Sequence, residues 1–157
     1  MNGILRRRRD LMLQTPSEPP NRFIEGTYTK GTSEIVIDSA GDMTINSWGS
    51  TTANRPSIPM VRALNFVTGD TVRLVITKLS GTISAIQFCE IWVNSMKVVD
   101  NESWGTGSTP ITKTITATAD AGSVYFTFNN KTGGAAFTNY KVKVEIYVNA
   151  VKVFPEV

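Results

Sequence analysis

Tyr140-Lys141-Val142-Lys143-Val144-Glu145-Ile146-Tyr147-Val148-Asn149 alternates from end to end. Tyr140, Val142, Val144, Ile146 and Val148 fall on one parity; Lys141, Lys143, Glu145, Tyr147 and Asn149 fall on the other. A period of two sends successive side chains to opposite faces of a strand, so this stretch is predicted to bury one face and wet the other. β-Branched Val and Ile are stiff at χ1 and suit a pleated surface. The phase changes near Asn149-Ala150, so Val151 and Val153 are expected to follow a bulge or turn.

The same period spreads outward through the chain. Val72, Leu74 and Ile76 alternate with Arg73, Val75 and Thr77. Ile111, Ile115 and Ala117 are expected inward, with Thr112, Thr114, Thr116 and Thr118 outward, and Val124, Phe126 and Phe128 inward. Ile35-Val36-Ile37 and Met43-Thr44-Ile45 flank a turn at Gly41-Asp42, and Met60 to Val67 is expected to be a strand. Residues 83–93 are apolar on both parities, which marks a central or covered strand with Trp92 in the core. Cys89 within it reads as a small buried apolar residue. Asn94 to Met96 reads as a tight hairpin turn, and residues 46–59 and 100–110 as long polar loops. Turn signals recur every ~8–12 residues, which predicts an all-β antiparallel jelly-roll or β-sandwich of about eight to ten strands over residues 23–157.

Residues 1–22 differ in kind. Ile4 and Leu5 repeat at Leu11 and Met12, one stripe of a short helix predicted over 4–14, with Arg6, Arg7, Arg8 and Arg9 between them. At about three turns such a helix is marginal without a partner surface. Pro16, Pro19 and Pro20 then favour an extended linker. The arm's five arginines, opposed only by Asp10 and Glu18, account for the whole net charge of +3. The neutral remainder argues against a broad nucleic-acid face on the sandwich.

The 157 residues suit one domain and bury a core without staples. With no histidine, His-dependent nucleophile triads are excluded and the commonest metal ligand is missing. The one cysteine cannot form an internal disulfide. No apolar run approaches the ~18 residues of a membrane span. The only apolar residues between the arginines and Gln14 are Leu11, Met12 and Leu13, so no secretory h-region is expected. Asp38, Asp42, Asp100 and Glu102 are read as turn residues, and no carboxylate pair stands out for glycoside hydrolysis.

Two resemblances bear on function. Ile4-Leu5-Arg6-Arg7-Arg8-Arg9-Asp10-Leu11-Met12 resembles the starts of small tailed-bacteriophage and prophage virion proteins, in which such a segment precedes a β-rich domain. Gly69-Asp70-Thr71-Val72-Arg73-Leu74-Val75-Ile76 and Ala136-Phe137-Thr138-Asn139-Tyr140-Lys141-Val142 resemble strands of the carbohydrate-binding jelly rolls that accompany glycoside hydrolases. That family often closes with an acidic residue that helps hold a structural calcium; this chain has Asn139 there.

The first resemblance implies a non-enzymatic virion structural protein, a head decoration, head-fibre or tail-associated component. Ile4, Leu5, Arg6, Arg7, Arg8, Arg9, Leu11 and Met12 would dock on a capsid, portal or tail protein, with weak nucleic-acid contact open to the arginines. It implies homo-oligomers assembled in the host bacterial cytoplasm, with no membrane partner. The second implies the alternative, a carbohydrate-binding module, free or virion-mounted, in which Trp48 and Trp104 stack on sugar rings unless they cap the core. Neither reading calls for a metal, a cofactor or a catalytic residue.

Overall fold

A computed structural model describes residues 18–47, 56–83, 87–93, 96–104, 111–120, 125–130 and 137–156, with side chains described for all of these except 87–93, 99–104, 111 and 128–130. These residues form eleven strands: β1 (Gly26–Lys30), β2 (Ser33–Ile37), β3 (Met43–Ser47), β4 (Ser57–Pro59), β5 (Thr71–Ile83), β6 (Gln87–Val93), β7 (Met96–Trp104), β8 (Ile111–Thr116), β9 (Tyr125–Asn130), β10 (Phe137–Val148) and β11 (Val151–Phe154). The described residues contain no helix. The expected arm helix over 4–14 lies outside them.

Every described strand pairing is antiparallel. One sheet runs β1-β2-β3-β10-β5-β8, with β11 also paired to β10; the other runs β4-β9-β6-β7. The path β3-β10-β5-β8 facing β4-β9-β6-β7 is the doubled Greek key of a jelly roll. The β1–β2 hairpin widens the first sheet. Both sheets feed one core, in which Ile35, Val142 and Ile146 share a cluster with Ile58, Phe126 and Met96. Phe23 seals it edge-on, with ring centroids 5.4 Å from Phe126 and 4.6 Å from Phe154.

β10 carries the alternation expected of it. Tyr140, Val142, Val144, Ile146 and Val148 are buried, and the residues between them are partly exposed. Before that run β10 holds a bulge, where the register to β5 shifts between Thr138 and Lys141. Asn139 there adopts φ 45°. Gly81 lies against it so closely that an added Cβ would sit 2.2 Å from the Asn139 carbonyl oxygen, and Gly81 itself has φ +80°. Only glycine fits both demands. At the other end, Asn149 and Ala150 both have positive φ and join Val148 to its partner Val151 in a two-residue hairpin, so the expected phase change is a turn.

Four local expectations are corrected. Met60 makes only an isolated bridge to Phe23, and the rest of 60–67 is irregular although Leu64 and Phe66 are buried; their apolar side chains close the core from a loop. Ser57–Pro59 is a strand inside the expected loop 46–59, held by pairing to β9. Ile83 ends β5 rather than opening the next strand. β7 runs to Trp104, so Asp100, Glu102 and Trp104 lie on a paired strand and not in turn or loop. Their polar character hid a strand held by cross-strand bonds to β6, a tertiary constraint that local pattern does not carry.

Candidate functional site

The alternation that buries Val142 to Val148 turns Lys143, Glu145 and Tyr147 to the outer face of the seven-stranded sheet. Register then assembles a row across four strands. Tyr147 pairs with Lys152 on β11 and Arg73 on β5, and Arg73 pairs with Thr114 on the edge strand β8. At the usual strand spacing the row spans roughly 14 Å. The Arg73 guanidinium carbon lies 3.9 Å from the Tyr147 ring centroid, a stacked cation–π contact. One row along, Glu145 Oε1 takes Lys143 Nζ at 3.1 Å and Lys152 Nζ at 3.2 Å. Partial burial pushes the Glu145 carboxyl up, but the two lysines outweigh it and hold it below the usual range. Arg73, Lys143 and Lys152 face one carboxylate, so the patch is net positive. Thr112, Thr114 and Thr116 add exposed hydroxyls along its margin.

A second arrangement lies where residues 18–22 meet the body. Asn21 is buried, with 2% of its surface exposed. Its Oδ1 accepts the Arg62 amide at 3.1 Å, its own amide donates to Glu156 Oε2 at 2.9 Å, and its carbonyl accepts the Glu156 amide at 2.9 Å. The Arg62 guanidinium pairs with Glu156 and donates to the Pro19 carbonyl at 2.7 Å. The Asn21 amide, with Arg62 beside it, holds the Glu156 carboxyl below the usual range against a smaller upward push from burial. A pocket of about 310 Å³ opens beside this clasp, lined by Asn21, Arg62, Ala63, Leu64, Asn65, Val153 and Glu156.

A third charged group pins the β2–β3 turn. Lys141 Nζ lies 2.7 Å from Asp38 Oδ2 and 3.1 Å from Asp42 Oδ2. Partial burial raises the Asp38 carboxyl, but Lys141 and the Asp42 and Ala40 amides leave it lowered, and the same carboxylates raise Lys141. Asp38 and Asp42 are therefore turn residues, as their sequence setting implied. Among the described residues no group of three or more His, Cys, Asp and Glu could hold a metal ion, and no helix is long and apolar enough to cross a membrane.

Of the residues singled out in the sequence, Ile4, Leu5, Arg6, Arg7, Arg8, Arg9, Leu11, Met12 and Trp48 lie outside the described residues. Trp104 ends β7 opposite Gln87. Trp92, read as core, pairs with the partly exposed Thr127 and Lys97, while the adjoining pair partners Phe126 and Met96 are buried. Sequence reasoning passed over Tyr147 and Arg73, although Tyr147 is the one aromatic on the wet parity of β10. It had no access to the clasp, whose members are remote in sequence.

No protein-family model matches the chain, and no curated protein matches it. Among solved structures it is similar to one described as "Carbohydrate binding module family29", at 12% identity and a TM-score of 0.42, over 83% of this chain and 89% of that one.

Proposed function

We propose that this chain is a non-catalytic carbohydrate-binding jelly roll that lays an acidic glycan across the outer face of its seven-stranded sheet. The observation that carries the reading is the row Lys152–Tyr147–Arg73–Thr114. A pyranose offers an apolar C–H face and a rim of hydroxyls. A planar guanidinium stacked on a phenol offers a flat surface for that face and several fixed donors for the rim. Lys143 and Lys152 add charge that favours a uronate or sulfate. The buried parity of β10 holds the platform rigid, so little ordering is needed when ligand arrives.

The test is a glycan array probed with the full chain and with an Arg73→Ala/Tyr147→Ala double variant. Acidic polysaccharides should be retained above neutral ones, and the double variant should lose at least tenfold in affinity. An array that retains no glycan, or a folded double variant that binds unchanged, sinks the reading.

A second reading keeps the chain as a virion structural component held by residues 4–13. It draws on the clasp, which fixes the point where the arm leaves the body through Asn21, Pro19 and Arg62. Light scattering of the full chain and of a chain lacking residues 1–14 tests it. The full chain should form a higher oligomer and the truncated one should not; equal masses remove this reading.

A further inference from the structure

We propose a second binding site, separate from the sheet face, in which the pocket beside Asn21 takes one neutral sugar ring end-on. Three observations converge. Asn21 is 2% exposed and is one of the residues that line the pocket. Its orientation is set by the Arg62 amide, a donor, which requires Oδ1 to face it and turns Nδ2 elsewhere. Among the described residues Nδ2 has no hydrogen-bond partner, and a buried donor left unmade is unfavourable enough to call for one.

The pocket's chemistry selects the partner. Arg62 is already neutralised by Glu156, with Glu18 at 3.9 Å on its other side. An anion would have to displace Glu156 and a cation would have to displace Arg62, and either exchange strands a charge. A hydroxyl group does neither. It accepts from Asn21 Nδ2 and donates to the Glu156 oxygen that Arg62 and Asn21 do not use, or to the Asn65 amide oxygen. Leu64 and Val153 give an apolar wall for the C–H face of a ring. A volume of about 310 Å³ sits at the small end of ligand pockets, which suits one ring better than a chain.

The site does not depend on the sheet-face reading, and the experiment keeps them apart. D-Glucose, D-galactose, D-mannose and N-acetyl-D-glucosamine are titrated into the isotope-labelled full chain, and the Asn21 side-chain NH₂ resonances are followed. At least one sugar should shift them saturably. Ala63→Leu, which adds bulk at a lining position that makes no clasp bond, should weaken that response at least tenfold, and Asn65→Ala should weaken it by less. The Arg73→Ala/Tyr147→Ala variant should respond like the parent. The site is overturned if no sugar shifts the Asn21 resonances, if water alone contacts Nδ2, or if a folded Ala63→Leu chain responds unchanged.

Discussion

The sheet face and the Asn21 clasp are both polar, yet they are built in opposite ways. The face is flat, net positive and made by neighbouring strands whose register puts Lys152, Tyr147, Arg73 and Thr114 in line. The clasp is closed and near neutral, and it gathers residues 18–22, Arg62 and Glu156 from far apart in the chain. A face inherits its order from the core beneath it; a clasp must be held by its own hydrogen bonds. Damage below the face should therefore unfold the whole molecule, whereas damage to the clasp should loosen one corner.

The largest effect is expected from Val144→Asp. Val144 is 4% exposed directly beneath the face, and an unpaired buried charge should cost on the order of 3–5 kcal/mol. Urea denaturation should show a collapse of stability; an unchanged midpoint would mean that β10 faces the other way. Gly81→Ala comes next. Its Cβ would meet the Asn139 backbone at 2.2 Å with nothing flexible to yield, so a loss of about 2–3 kcal/mol is expected by the same measurement.

These two positions also show what the sequence made legible. The alternation from Tyr140 to Val148 placed Val144 in the core without any structure, because a period of two has one meaning when one face is apolar. Gly81 carried no such signal, since its need arises from a bulge on another strand. The same limit explains Leu64 and Phe66, apolar residues that fill the core from irregular chain, and Trp104, which lies on a strand inside an apparent loop. The row across the face was half legible: parity exposed Tyr147, but only register brought Arg73 and Lys152 to it.

Damage to the clasp should cost less. Asn21→Ala removes the acceptor that satisfies the Arg62 amide and should cost about 1–3 kcal/mol. Hydrogen exchange should rise at residues 18–24 and 60–65 while β10 stays protected. Uniform exchange would show that the corner and the sheets unfold as one.

Acid should weaken both regions together. Asp38, Asp70, Glu145 and Glu156 are all held below their usual range in the fold. Their contribution is complete above the ordinary unfolded carboxylate values of about 4 and is lost as pH falls through the lowered folded ones. Lys141, raised by its two aspartates, acts in the opposite sense, and its share is lost as pH rises through its raised value. The melting temperature should be level near neutrality and fall at both extremes, with salt flattening the curve because these groups lie near the surface. A melting temperature that rises on acidification would contradict the assignment.

The smallest effect should be a gain. Ala150 sits at φ 67°, a conformation that glycine adopts without strain. Ala150→Gly should add about 0.5–1 kcal/mol, offset in part by the freedom glycine brings to the unfolded chain. A loss would show that the hairpin is not the turn described.

Glycan binding on the sheet face can be located by mapping backbone amide shifts. The acidic oligosaccharide retained most tightly on the array is titrated into the labelled full chain. The shifts should concentrate on Lys152, Tyr147, Arg73 and Thr114, with Glu145 and Thr112 beside them, and should fade as salt rises. Shifts confined to β4, β6, β7 and β9, or no shifts at all, would contradict the account.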